Sequence, residues 1–92
     1  MTITVSKTAT AIRQALPKSW RVVEGEEMLF VFRNKKDADR DREALLIRLV
    51  TGDGYSELER GKEFDSAKQV VPAIIRALRA IGYSAVSTYF LT

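Results

Sequence analysis

The sequence predicts a small single-domain α+β fold in which helices pack on one face of an antiparallel sheet. Three observations predict it. The chain has 92 residues, which suits one domain (residues 1–92) with one core. Apolar residues recur at helical spacing near both ends, and short segments rich in Trp, Val and Phe are typical of strands. There is no Cys, so the core must hold the fold without disulfides.

The N-terminal third is predicted to form a strand, a helix and a hairpin. Residues 2–5 suit a short strand, and Ser6 is a suitable N-cap for a helix over about 7–16. The apolar positions of that helix are Val5, Ala9, Ile12 and Leu16. Residues 19–24 and 28–33 then predict an antiparallel hairpin, because both segments are rich in strand-forming residues.

Two interpretations remain open for the apolar run at residues 44–50. A helix through the charged stretch 34–43 into this run is preferred, because Glu, Ala, Leu and Arg are strong helix formers. In the alternative, residues 44–50 form a strand closed by the Gly-Asp-Gly turn at 52–54. Periodicity does not decide between them for so short a run. Residues 55–64 are predicted to form a loop or a single helical turn.

The last helix has the strongest pattern. Asp65 or Ser66 is expected to cap it, and Gly82 to end it. Its apolar positions are Ala67, Val70, Val71, Ile74, Ile75, Leu78 and Ile81. Pro72 predicts a kink or an irregular first turn, and residues 83–90 predict a final strand. The predicted order, β-α-β-β-α-α-β, becomes the split β-α-β pattern of ferredoxin-like folds when the middle helix is removed.

Charge is segregated along the chain, although the net charge is only +3. Residues 1–23 carry four basic and no acidic residues, and residues 66–92 carry three basic and no acidic residues. Residues 24–65 hold eight basic and all twelve acidic residues. If the two ends pack side by side, their positive fields add on one surface.

The basic residues of the two ends form the predicted binding surface, named here the basic surface. Flexible cations of this kind bind the phosphates of nucleic acids. Its members are Lys7, Arg13, Lys18, Arg21, Lys68, Arg76 and Arg79. The competing interpretation is a surface that is charged for solubility.

Catalytic signals are few. The chain has neither His nor Cys, which excludes a Ser-His-Asp triad, a thiol nucleophile and the usual zinc ligands. Asp37 with Asp41, and Asp39 with Glu43, would share a helix face and hold a cation through oxygen ligands. The interleaved Lys and Arg residues favour a solvated helix instead. We therefore predict a protein that is not an enzyme and has no metal or cofactor.

Three aromatic residues, Trp20, Phe30 and Phe32, lie on the predicted hairpin. Exposed aromatics on a strand stack on unpaired bases, and Leu29-Phe30-Val31-Phe32 resembles a fragment of the third-strand signature of RNA-recognition domains. The basic residue and the glycine of that signature are absent, since Glu27 and Met28 stand there. Packing in the core is therefore the preferred interpretation.

The chain as a whole resembles the small phage-encoded inhibitors of bacterial defence known as anti-CRISPR proteins. Short length, missing catalytic residue types, α+β order and clustered basic residues carry the resemblance, without any shared motif. It implies a stoichiometric inhibitor that binds and occludes a nucleoprotein complex. The alternatives are a nucleic-acid-binding regulator and a structural or assembly subunit. No signal peptide or membrane span is predicted. We expect a monomer or homodimer in the cytoplasm, or in the host cytoplasm if it is phage-encoded.

Overall fold

A five-stranded mixed sheet carries two helices, and the predicted α+β class is confirmed. The computed structural model describes residues 3–33, 43–50 and 52–91. The helices are α1 (Val5–Ala15) and α2 (Val71–Ala80). The strands are β1 (Arg21–Gly25), β2 (Met28–Phe32), β3 (Leu45–Val50), β4 (Tyr55–Arg60) and β5 (Ala85–Phe90). Two short 3-10 turns, Phe64–Ser66 and Lys68–Val70, precede α2.

The sheet has the simple order β1-β2-β3-β4-β5. The first three pairings are antiparallel, and β4 pairs with β5 in parallel. A parallel pair needs a crossover connection, which the 3-10 turns and α2 supply. Within the described part of the chain, β1 and β5 are the edge strands of the sheet.

Both helices pack on one face of this sheet, as predicted. The buried core joins Ile12 of α1 and Ile74 of α2 to Leu29, Ile47 and Leu58 on neighbouring strands. In the strand register Leu29 is opposite Ile47, and Ile47 is opposite Leu58, so these three side chains share the helix-facing side. Each fully buried aliphatic side chain of this kind contributes about 1.5–3 kcal/mol of transfer free energy.

The chain starts differently from the prediction. Val5 is already helical, so the strand expected at residues 2–5 is wrong where the structure describes it, at residues 3–5. The N-cap is Thr4 rather than Ser6, and its hydroxyl accepts a hydrogen bond from the Lys7 amide at 3.1 Å. Thr4 satisfies a free amide of the first turn, which lets the helix begin before Ser6.

Residues 45–50 form strand β3, so the preferred helix prediction is wrong there and the alternative is right. Leu45, Ile47 and Leu49 are buried while Arg48 and Val50 are exposed, which is the alternation of a strand. Pairing with β2 and β4 on both sides overrides the local helix propensity. Residues 34–42, including the proposed acidic pairs apart from Glu43, lie outside the described residues.

Residues 55–60 form strand β4 rather than the predicted loop. Ser56 and Leu58 point into the core, while Glu57 and Glu59 lie on the other side of the strand. Because a serine occupies one of the inward positions, the hydrophobic alternation that would reveal a strand is hidden.

The end of the chain follows the prediction closely. The irregular start of the helix is confirmed by the two 3-10 turns, but the prediction that Asp65 or Ser66 caps it is wrong, because α2 begins at Val71 with Val70 as its N-cap. Pro72 lies in the first turn of α2, where the missing amide costs no hydrogen bond. Gly82 ends the helix with a φ of 121°, and the final strand is confirmed as β5. The described elements follow the order α-β-β-β-β-α-β, so the ferredoxin-like arrangement is not confirmed.

Candidate functional site

The two acid-free ends of the chain lie side by side in the helical layer. The Thr8 side chain of α1 is hydrogen-bonded to the Tyr83 hydroxyl, just after α2, across 3.1 Å. Lys7 and Ala11 of α1 also share an open cleft of about 410 Å³ with Ile81. The N-terminus of α1 therefore lies against the C-terminus of α2, and neither helix contains an acidic residue.

Four members of the basic surface are exposed without a carboxylate partner. Lys7 lies on α1, Lys18 in the turn that follows it, and Arg76 and Arg79 on the outer side of α2. No ion pair involves any of them among the residues that the structure describes. These four residues are called the unpaired cations below.

Arg13 belongs to a contact of its own, on the side of α1 that faces β1. Its Nη2 atom donates to the Val22 carbonyl oxygen at 2.8 Å and lies 3.6 Å from a carboxylate oxygen of Glu24. The other carboxylate oxygen of Glu24 accepts a hydrogen bond from the Ser6 hydroxyl at 3.0 Å. Arg13 thus has a carboxylate partner and joins α1 to the sheet edge.

Arg21 does not join the helical layer. Val22 points into the core beneath the helices, so its neighbour Arg21 lies on the opposite face of the sheet. The structure therefore places Arg21 on a different face from Lys7, Arg76 and Arg79. A period-two strand separates neighbouring residues, which a count of charges along the chain does not detect.

Lys68 is paired, but in an exposed position. Its Nζ atom lies 3.2 Å from a carboxylate oxygen of Asp65, and both side chains are largely exposed. Water and salt screen such a pair strongly. Lys68 can therefore exchange Asp65 for a phosphate at little cost.

Four of the described acids lie away from the helices. Glu26 and Glu27 are in the hairpin turn, and Glu57 and Glu59 are on the face of the sheet opposite α1 and α2, where Arg48 pairs with Glu59 at 3.1 Å. Charge is therefore only partly segregated in space, because Glu24 and Asp65 pair with Arg13 and Lys68 of the basic surface.

The aromatic residues of the hairpin are core residues. Trp20 is buried, Phe30 is 6% exposed and Phe32 is 1% exposed, so they are not available to stack on bases. The exposed aromatics are Tyr89 at 76% and Phe90 at 42%, at the end of β5. The sequence signal that marks them is a final stretch, residues 80–92, without a single charged residue.

The buried Thr8–Tyr83 contact holds the two helices in place. Thr8 donates its only hydroxyl proton to the Thr4 carbonyl oxygen at 2.9 Å, so the Tyr83 hydroxyl donates to Thr8 Oγ1. Burial raises the pKa of the Tyr83 hydroxyl above its ordinary value of about 10.

The described residues contain no group of three or more Asp or Glu side chains placed to hold a metal ion. In the same part of the chain, no helix is long and apolar enough to span a membrane. Comparison of the chain with protein-family models, curated protein sequences and solved structures finds no match.

Proposed function

We propose that this is a non-enzymatic binding protein that docks through its helical layer on a bacterial nucleoprotein complex and occludes it, as the anti-CRISPR proteins it resembles do. One observation carries the proposal. The acid-free helices α1 and α2 lie side by side, with Lys7, Arg76 and Arg79 exposed and without a carboxylate partner within residues 3–33, 43–50 and 52–91. An exposed set of cations without counterions is the electrostatic feature that attracts phosphates.

The number of unpaired cations favours a nucleoprotein complex over free nucleic acid. The four unpaired cations and Lys68 together contact at most five phosphates, and each phosphate contributes about −0.9 to the salt slope on a duplex. The affinity would then fall about 500-fold between 50 and 200 mM salt. A protein that makes 6–10 phosphate contacts loses about 10³–10⁵ in affinity over the same salt range. Contacts with protein must therefore supply much of the affinity, while the cations orient the inhibitor beside the nucleic acid.

The experiment is affinity capture from a bacterial lysate with three tagged proteins. They are the wild type, the Arg76→Glu/Arg79→Glu variant and a control, Arg48→Gln, which removes a cation from the face opposite α1 and α2 without placing a new carboxylate beside Glu59. We expect the wild type and the control to capture a ribonucleoprotein complex, and the α2 variant to lose it while keeping the wild-type circular dichroism spectrum. Capture that is equal for all three proteins would refute a role of the helical layer.

A second measurement separates the nucleoprotein complex from free nucleic acid. Binding of a fluorescent oligonucleotide is measured between 50 and 200 mM salt, first with the wild type and then with Arg76→Gln/Arg79→Gln. We expect weak binding whose slope in log K against log salt drops by about 2 in the variant, because two phosphate contacts are lost. Tight binding to the plain oligonucleotide at 200 mM salt would point to a direct nucleic-acid-binding regulator instead.

A further inference from the structure

We propose that the open cleft between α1 and the end of α2 receives an aliphatic side chain from an acidic segment of a partner protein. The cleft, called the α1 cleft below, is lined by Ser6, Lys7, Thr10, Ala11, Gln14 and Ile81. A leucine, isoleucine or methionine would enter it, and a neighbouring carboxylate would pair with Lys7. This inference rests on the proposed function, because it says what the protein component of the complex presents to the helical layer.

The shape of the α1 cleft favours a segment of a protein chain over a small molecule. The cleft measures about 410 Å³ and is open to solvent. Sites for small molecules enclose most of the surface of their ligand. An open cleft leaves much of such a ligand in water, but it accommodates one side chain while the segment that carries it lies across the surface.

The floor of the α1 cleft is aliphatic. Ala11 and Ile81 are both half-buried, and Ile81 packs against the core from the end of α2. Within the described part of the chain, no aromatic ring lines the cleft. Proteins that bind unpaired bases stack them on aromatic rings or on the planes of arginine side chains. The aliphatic floor therefore favours a side chain of a protein over a nucleobase.

The rim of the α1 cleft is positively charged. Lys7 is exposed and has no carboxylate partner among the residues that the structure describes. Ser6 contacts an acid, Glu24, but both carboxylate oxygens of Glu24 are engaged. One accepts a hydrogen bond from the Ser6 hydroxyl at 3.0 Å, and the other lies 3.6 Å from Arg13. Because Arg13 offsets the charge of Glu24, the positive charge of Lys7 selects an acidic partner.

Gln14 adds a group that can hold the backbone of the bound segment. Its exposed side-chain amide makes no hydrogen bond within residues 3–33, 43–50 and 52–91. The Thr10 hydroxyl, in contrast, already donates to the Ser6 carbonyl oxygen at 3.0 Å. A glutamine amide both donates and accepts hydrogen bonds. Gln14 therefore complements the backbone of a segment whose side chains contact the floor and Lys7.

The first test adds three synthetic peptides to the full chain and follows the backbone amide signals by nuclear magnetic resonance. The acidic probe is a short peptide of Glu and Ala with one central Leu. The second probe has Ala in place of that Leu, and the third has Lys in place of every Glu. We expect the acidic probe to shift the amide signals of Lys7, Ala11, Gln14 and Ile81. Loss of the Leu should weaken binding at least about tenfold, and the basic probe should shift none of these signals.

Substitutions in the α1 cleft test the same contacts from the other side. Ala11→Gln covers the aliphatic floor with an amide but keeps a good helix former, and should weaken the acidic probe at least about fivefold. The control Ala15→Gln makes the same change one turn further along α1, at an exposed position outside the cleft, and should leave binding unchanged. Lys7→Gln should weaken binding about two- to fivefold, as expected for an exposed ion pair. Circular dichroism checks folding, and Lys7→Gln serves as the cleft variant if Ala11→Gln does not fold.

Three results would overturn the inference. They are no shift of these amide signals by the acidic probe, equal affinity of that probe for the wild type and Ala11→Gln, and a plain oligonucleotide that shifts the signals of Ala11 and Ile81 more than the acidic probe does. The last result would assign the α1 cleft to nucleic acid.

Capture from the bacterial lysate separates this inference from the proposed function. If Ala11→Gln captures the ribonucleoprotein complex as well as the wild type does, while Arg76→Glu/Arg79→Glu loses it, the cleft is refuted and the proposed function stands. If the wild type binds the acidic probe in the α1 cleft but captures no ribonucleoprotein complex, the chemistry of the cleft is supported and the proposed function is refuted.

Discussion

The hydrogen bond between Thr8 and Tyr83 gives the sharpest test of how the helical layer is held. Thr8→Val and Tyr83→Phe each remove one hydroxyl, but the structure predicts that they lower the free energy of unfolding by unequal amounts. Tyr83→Phe removes a donor and leaves Thr8 still bonded to the Thr4 carbonyl oxygen at 2.9 Å. Loss of one hydrogen bond whose remaining partner is still bonded elsewhere lowers the free energy of unfolding by about 1 kcal/mol.

Thr8→Val should cost more, because it leaves the Tyr83 hydroxyl buried without an acceptor. An orphaned buried donor costs about 1–3 kcal/mol. For a domain of this size each kcal/mol lowers the melting temperature by about 4–8 °C. The double variant should be no less stable than Thr8→Val alone, since Tyr83→Phe removes the orphaned group.

Thermal and urea denaturation of the four proteins measure this cycle. The pH dependence adds an independent check, because the pKa of Tyr83 is raised in the folded state by burial. A raised pKa means that this contribution to stability is fully present below the unfolded value of about 10 and is lost as pH rises through the folded pKa. Tyr83→Phe should therefore lose less stability than the wild type above pH 10. If the losses of stability in Thr8→Val and Tyr83→Phe add up in the double variant, the assigned direction of the hydrogen bond is refuted. If Tyr83→Phe and the wild type lose equal stability above pH 10, the burial of the Tyr83 hydroxyl is refuted.

Three further predictions concern the sheet, each measured as a free energy of unfolding. Ser56 Oγ is buried without a hydrogen-bond partner in the described structure, so Ser56→Ala should raise the free energy of unfolding by about 1 kcal/mol. The control Ser66→Ala removes a hydrogen bond of 2.7 Å to the Glu63 carbonyl oxygen and should lower the free energy of unfolding. A stabilised Ser66→Ala would contradict this. Glu27 has a φ of 53°, so Glu27→Gly should stabilise by about 0.5 kcal/mol, and its neighbour Glu26→Gly should not. A Cβ at Gly61 would collide with the Glu43 carbonyl oxygen, so Gly61→Ala should lower the free energy of unfolding by more than about 2 kcal/mol. An unchanged free energy of unfolding would mean that this backbone contact opens readily.

The elements predicted correctly are those whose signals are local. Ile74 and Leu78 repeat at helical spacing, and Gly82 stands where the helix must end, so α2 and its end are visible in the sequence. The hairpin of β1 and β2 is visible for the same reason, since strand-forming residues surround a short polar turn.

The two middle strands were missed because their pattern depends on distant partners. Leu46 occupies an outward position of β3 and Ser56 an inward position of β4, so neither strand alternates cleanly between apolar and polar residues. Pairing of β3 with both neighbours decides its conformation, and those contacts are long-range in sequence.

The sequence by itself determined the class of the fold and the supply of charge: two acid-free basic ends, an acidic middle and an uncharged final segment. Only the tertiary structure decided which charges remain available. It buries Phe30 and Phe32, places Arg21 on the face opposite α1 and α2, pairs Arg13 with Glu24 and leaves Lys7, Arg76 and Arg79 exposed. The physical reason is that helix periodicity acts over a few residues, whereas ion pairing and burial depend on which distant segments meet.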